Sequence, residues 1–366
     1  MPERSSTTLS PRSGAVDLSN AVRTAGIEAG LDAVGVTDVA PFTGARAAIR
    51  HRVEQGHAAD MGFVFRDPDR ATDPRRLLRD AASLVVGARS YAAVDPPHDP
   101  EVEGDRRGAP AGRVARYARA DEYGALRVGL DAVRDRLRAA GHRAAVIVDQ
   151  NSLVDRAAAQ RAGLGWFGVS SNLLLPGRGS WFVLGSVVTD AVLPTDPPVA
   201  EGCGPCRRCM DGCPTGAIVA PGVVDGRRCL AWVVQAPGSI PEHLRVAVGD
   251  RIYGCDDCQE VCPPNRREVS VGLGRAATVA PPVTVPLLEL LEADDATILA
   301  RHGRWYLHDR DPRWLRRTAL VALGNVAEPG DPGATAVLDR YAAGDDPVLA
   351  EHARWAQRRR SDRMAG

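Results

Sequence analysis

Residues 201–218, EGCGPCRRCMDGCPTGAI, and 252–266, IYGCDDCQEVCPPNR, carry seven of the chain's eight cysteines, and the eighth, Cys229, lies between them. Cys203, Cys206, Cys209 and Cys213, followed by Pro214, spell C-x2-C-x2-C-x3-C-P. That spacing wraps three thiolates around one [4Fe–4S] cube and sends the fourth to a second cube. The second run, Cys255, Cys258, Cys262 and Pro263, has the same ending, but Ile252 stands where its first cysteine would be. Cys229 is the spare thiolate that completes the set. The crossed pattern predicts Cys203, Cys206, Cys209 and Cys262 on one cluster, and Cys213, Cys229, Cys255 and Cys258 on the other. Two zinc sites would also take four thiolates each, but as C-x2-C knuckles separated by a long spacer rather than as a continuous triplet. Two neighbouring cubes form an electron relay, so the chain must contain or contact an acceptor.

Outside residues 203–262 there is no cysteine. A secreted disulfide framework would spread them through the fold. The chain is 366 residues long, enough for two or three domains. Its 46 cationic residues balance 46 acidic ones, so no global field draws it to nucleic acid or an anionic membrane. Every cation is arginine; with lysine absent, Schiff-base and Walker-type lysine chemistry is excluded. Residues 1–20 are polar, and no later run approaches the ~18 apolar residues of a membrane span. The expectation is a cytoplasmic protein that makes no membrane contact.

Upstream of the cysteines, helical and strand-like patterns alternate. Leu18, Val22, Ile27 and Leu31 keep helical phase, and short strands follow at Ala33 to Val36 and Ser83 to Ala88. Ala125 to Ala140 reads as an amphipathic helix closed by Gly141, and Ala144 to Val148 and Trp181 to Thr189 as buried strands. Residues 1–195 therefore form an α/β domain, with a loop over Asp95 to Gly112. Residues 196–270 form a small cluster-binding domain that depends on its metal to fold. After Pro281 and Pro282 the chain turns helical, so that residues 271–366 are expected to form an α-helical domain. The helices at Asp311 to Leu323 and Asp346 to Arg360 both open with Asp-Pro, a cap followed by a first-turn proline, which suggests a short HEAT-like stack. An ordinary helical subdomain is the alternative.

No G-x-G-x-x-G follows a strand with an acid about twenty residues on, so a nicotinamide or flavin Rossmann site has no support. The richest stretch before the cysteines is 148–168, VDQNSLVDRAAAQRAGLGWFG, where a strand ends in Asp149 and Gly163, Gly165 and Gly168 surround Trp166. A strand-end carboxylate with such glycines suits the close approach of a large flat cofactor. The bland reading is a tight turn in which Asp149 caps the next helix.

In their order, GLDAVGVTDVAPF (30–42), DMGFVFRDPDRATDPRRLLRDAASLVVGARSY (60–91), RVARYARADEY (113–123), the 148–168 stretch, FVLGSVVTDAVLPTD (182–196), the two cysteine runs and the helical tail resemble the epoxyqueuosine reductase family over nearly the whole chain. The resemblance implies an α+β multidomain protein with three parts: a corrinoid-binding domain like those of nitroreductases and reductive dehalogenases, a bacterial two-[4Fe–4S] ferredoxin-like domain, and a HEAT-like tail. It implies cobalamin held base-off between the first two, and reduction of the epoxide of a modified wobble base to queuosine. The implied partners are a tRNA anticodon loop and an external donor such as a flavodoxin or ferredoxin, with the protein a monomer.

By the same resemblance, Asp149 matches the family's catalytic proton donor. Main chain at Ala115, Leu173, Leu184 and Ala231, with Asp256, matches positions lining the cobalamin, and Arg66 and Arg156 match arginines near it. Gln150, Asn151 and Ser152 depart from the family's small residue and Ala/Gly-Pro. Val169 and Ser170 replace its Lys and His or Asn, Gly124 its His after Tyr123, and Ala231-Trp232 its Ser-Tyr. Two alternatives stay open: a related corrinoid iron–sulfur reductase acting on a small molecule, and a non-catalytic electron carrier or RNA-binding protein with structural clusters. In the segment from Arg301 onward, twelve arginines face nine acids, and the Arg358-Arg359-Arg360 run is expected to grip phosphates or to form a solvated face.

Overall fold

The computed structural model describes residues 11–62, 65–92, 109–270 and 283–365. The loop expected over Asp95 to Gly112 lies outside these up to residue 108, as do Pro281 and Pro282. The chain divides into two compact units, one of residues up to Tyr91 with Glu122–Cys206, the other of Ala92–Asp121 with residues from Arg207 onward. Among the described residues, no helix is long and apolar enough to cross a membrane.

The first unit is built on a four-stranded sheet in the order Ala33–Asp38, Ser83–Ser90, Phe182–Thr189, Ala144–Val148, antiparallel throughout. The two inner strands are buried on both faces, which explains their uninterrupted apolar sequences. Successive residues serve opposite layers. Leu84, Val86, Ile147 and Val188 meet Phe42, Leu153 and Ala157–Ala159 on one side, whereas Val85, Val148, Val183 and Val187 meet Val22, Leu31 and the helix Glu122–Ala139 on the other. That helix presents Leu126, Leu130, Val133 and Leu137, all 0% exposed. Gly87 and Gly185 are paired across the strands, and a Cβ on either would stand 2.9 or 2.8 Å from a Leu130 methyl, so the two glycines make the socket Leu130 fills.

The second unit threads residues 111–114 between two later segments. Ala111–Val114 pairs in parallel with Arg251–Tyr253 and antiparallel with Thr284–Pro286. One hydrophobic core runs from Val114 through Leu230, Val233 and Ile240 to Leu315, Leu320 and Trp355, so the cysteine-bearing residues and the helical tail share it. Three of the tail's helices, Arg313–Val326, Pro332–Ala342 and Pro347–Ala365, follow Asp-Pro pairs. Two aspartates act as the expected caps, Asp331 accepting from the Ala334 amide and Asp346 from Val348 and Leu349, at 2.9–3.0 Å, whereas Asp311 accepts from the Arg313 amide at 2.8 Å ahead of the N-cap Pro312 and so is not the cap of that helix.

Candidate functional site

The strand Ala144–Val148 ends its ladder at the pair Val148 and Gly185. One step further, Asp149 is level with Leu184. Asp149 takes φ = 49°, a left-handed turn that aspartate tolerates better than most residues and that directs the chain off the sheet. The following helix, Asp155–Arg161, starts at Val154 with no side-chain cap, so Asp149 is not its cap. Asp149 is open to solvent on one side, and the protein on the other raises its pKa above the ordinary carboxylate value by desolvation. Leu173 and Leu184 belong to the core layer beneath this sheet end, with Leu153 and Ala157. Arg156 is exposed and reaches the Ser171 carbonyl at 3.4 Å, whereas exposed Arg66 folds back against Gly62.

The glycines around Trp166 are occupied by protein. A Cβ at Gly163 would meet the Pro197 carbonyl oxygen at 2.4 Å, one at Gly165 the Leu174 carbonyl at 2.1 Å, and one at Gly168 a Leu174 methyl at 2.3 Å. Close approach is their purpose, but the backbone they admit is the chain's own. Their ribbon, Trp166–Phe167 against Leu173–Leu174, carries the buried Trp166 ring up to Gly202, where a Cβ would stand 2.6 Å from it. A Cβ at Gly168 would lie 3.5 Å from Cys203 Sγ. The loop thus supports the start of the first cysteine run.

All eight cysteines are partly buried. In the second unit the thiols of Cys209, Cys213, Cys229 and Cys255 lie close enough to Cys258 to oppose its ionisation, and Cys229 does the same to Cys255. Burial is the larger effect, pushing the Cys255 thiol up to about 12 and Cys258 higher still. Neighbouring thiols that cannot ionise alone lose their protons when a cation binds them together. Cys213 Sγ accepts a hydrogen bond from the Ala217 amide at 3.2 Å, the kind of bond that tunes a cluster's potential. Cys229 begins the short helix Leu230–Val233, and Cys255 and Cys258 flank the start of Asp257–Glu260. The donor set suits two iron–sulfur cubes.

Ala115, Ala231 and Asp256 are gathered in this unit. Ala115 donates its amide to Tyr253 O at 2.9 Å, and Asp256 Oδ2 accepts from the Arg116 amide at 2.6 Å. Gln235 bridges the Ala231 carbonyl and the Tyr117 hydroxyl. Asp256 is 5% exposed and its Oδ1 has no protein partner. Burial pushes its pKa up to about 6.

Two features escape the sequence. Asp155 is one, its Oδ1 buried without a protein partner and its pKa pushed up to about 8 by burial and by Asp149. Only its setting between buried Leu153 and Ala157–Ala159 could have signalled it. The arginines of the tail are the other. Arg360, expected on a phosphate or in solvent, is 5% exposed and donates to the carbonyls of Glu328, Pro329 and Asp331. Arg304, Arg316, Arg340 and Arg363 likewise hold main-chain carbonyls.

Comparison with known proteins gives three findings. Residues 202–265 match the family model of a 4Fe-4S double cluster binding domain. The chain is 34% identical over 313 residues to an epoxyqueuosine reductase of Xanthomonas campestris pv. campestris, covering 83% of this chain and 86% of that one. It is 39% identical over 268 residues to one from Synechococcus sp., covering 69% and 77%. Among solved structures, it is similar to a crystal structure of epoxyqueuosine reductase with an epoxyqueuosine-modified tRNA-Tyr stem loop, with TM-score 0.83, 27% identity, and coverage of 94% of this chain and 90% of that one.

Proposed function

The chain belongs to the epoxyqueuosine reductase family, and from that premise we propose that it reduces the epoxide of epoxyqueuosine to queuosine at the tRNA wobble position. One observation carries the reading: similarity to the Xanthomonas relative extends over 83% of the chain, far beyond the double-cluster segment that a mere electron carrier would share. Removing an epoxide oxygen as water takes two electrons and two protons. Two [4Fe–4S] clusters would relay the electrons from a flavodoxin- or ferredoxin-type donor, bound by Cys203, Cys206, Cys209 and Cys262, and by Cys213, Cys229, Cys255 and Cys258.

A corrinoid is the acceptor we propose, supplying two-electron chemistry at the epoxide carbon. Main chain at Ala115, Leu173, Leu184 and Ala231 would line it, with Arg66 and Arg156 nearby. The buried, unpartnered Oδ1 of Asp256 is an acceptor suited to the amide arms of a corrin. Asp149 gives a proton to the departing oxygen, a role its raised pKa and open side suit. The helical tail, a HEAT-like stack in this proposal, would hold the anticodon loop through arginines that remain at the surface, such as Arg301 and Arg358. Val169, 8% exposed where the family carries Lys, favours a second reading with another substrate.

Protein reconstituted anaerobically with iron, sulfide and cobalamin, given a reductant and an epoxyqueuosine-modified stem loop, is expected to yield queuosine detectable by mass. Asp149→Asn should retain its iron and lose about 10²–10⁴ in rate. Fully loaded protein that leaves the modified base unchanged would discard the reading.

A further inference from the structure

The reading above, on which this inference rests, needs two protons per turnover and assigns one to Asp149. The turn that carries Asp149 contains two polar atoms that the fold buries and leaves without a protein partner, Ser152 Oγ and Asp155 Oδ1. Ser152 is 9% exposed. Among the described residues fourteen buried side-chain polar atoms lack a protein partner, and these two, three residues apart, fall together in this one turn. Asp155 is the first residue of its helix, between buried Leu153 and the buried Ala157–Ala159, and the N-cap residue Val154 offers its carboxyl nothing.

The charged groups facing Asp155 are Asp149, which opposes its ionisation, and Arg156, which favours it but is engaged with the Ser171 carbonyl. Burial outweighs both, so that Asp155 holds a proton up to about pH 8. Two carboxyls coupled in this way do not both ionise readily, so that a single proton left on the pair is shared between them.

We propose that Asp155 is the proton reservoir behind Asp149, supplying the second of the two protons that turn the epoxide oxygen into water. One C–O bond breaks as the oxygen takes the Asp149 proton and becomes a hydroxyl. Asp155 then passes its proton to the Asp149 carboxylate. The second C–O bond breaks as the hydroxyl takes that proton and leaves as water, while the two electrons delivered through the clusters complete the new C=C bond. Both carboxylates regain protons from solvent. Asp155 thus acts through Asp149 and never touches the substrate.

The test pairs kinetics with a readout that needs no turnover. In the reconstituted holoprotein, Asp155→Asn should lower kcat on the modified stem loop at least about tenfold with KM unchanged, and move the alkaline fall of the rate to lower pH, while Asp155→Glu restores most of the rate. In infrared spectra at pH 7, a protonated-carboxyl band should be present in the parent protein and absent from Asp155→Asn. In Asp149→Asn that band should titrate away at lower pH, because the opposing charge is gone. A parent protein that leaves the modified base unchanged overturns the functional reading; the infrared arms then decide the inference on their own. Absence of the band, a full rate and unaltered pH profile in Asp155→Asn, or equal losses in the Asn and Glu variants, overturns the inference.

Discussion

The two units dispose of buried main-chain polarity by opposite means. In the first, an antiparallel ladder pairs its own amides and carbonyls, and the side chains packed on it are Leu, Val and Ala. In the second, residues 233–238, in the cysteine-free stretch between Cys229 and Cys255, form no ladder, and a side chain meets their carbonyls. Arg317, 1% exposed, is that side chain, donating to the carbonyls of Val233, Val234, Ala236 and Gly238. Arg245 holds the Ile240 carbonyl at 2.8 Å and pairs with Glu351, while His352 Nε2 accepts the Ile240 amide at 3.0 Å. An irregular segment between two sets of cysteines borrows its hydrogen-bond partners from the helices packed on it.

The sharpest way to break that contrast is Arg317→Met. Four carbonyls lose their donor together, and the second unit should lose about 5 kcal/mol, with iron retention falling alongside. Denaturant unfolding and iron content measure both; a loss of stability with full iron would uncouple the tail from the cysteines. Leu130→Ala empties the Gly87–Gly185 socket and should cost about 3 kcal/mol with iron content unchanged.

Two buried groups, one in each unit, should also answer pH in opposite directions. Asp155 binds its proton more tightly folded, at about 8, than unfolded, at 3.8, so its contribution to the first unit falls as pH rises from about 4 to 8. His352 is 0% exposed and held neutral, with Nδ1–H donating to Val348 and its pKa lowered from 6.5 to about 4. Its contribution to the second unit is lost as pH falls from 6.5 towards 4. In the second unit Asp256, its pKa raised to about 6, opposes His352 over this range, so hydrogen exchange at pH 5 and pH 8 should show the larger fall in the first unit; equal falls in both would remove the distinction. The smallest effect expected is Asp331→Ala, about 1 kcal/mol from the lost cap on Pro332–Ala342, read as a lower unfolding midpoint.

The strands at Ser83–Ser90 and Ala144–Val148 and the helix Glu122–Ala139 were legible because burial on a regular element leaves a period in the sequence. The cysteine spacing was legible because a cube constrains ligands only a few residues apart. Arg360 was misread: an arginine in a helix's last turns looks the same whether it meets phosphate, water or a neighbour's carbonyls. Gly163, Gly165 and Gly168 were misread for the same reason, since the partners that fill their space, Pro197 and Leu174, come from later in the chain. Asp155 left no period and no spacing. Its character comes from desolvation, which only the packed turn creates.

The strand Ala111–Val114 has both of its partners far downstream, at Arg251–Tyr253 and Thr284–Pro286. On a ribosome it emerges roughly 140 residues before the nearer one, a wait of roughly 7–30 s at ~5–20 residues per second. Cys255, Cys258 and Cys262 leave the exit tunnel only after that wait. Cluster assembly in this unit is therefore a late event in the life of the nascent chain, and until then an exposed strand edge and five early thiols depend on the cell to keep them from other partners.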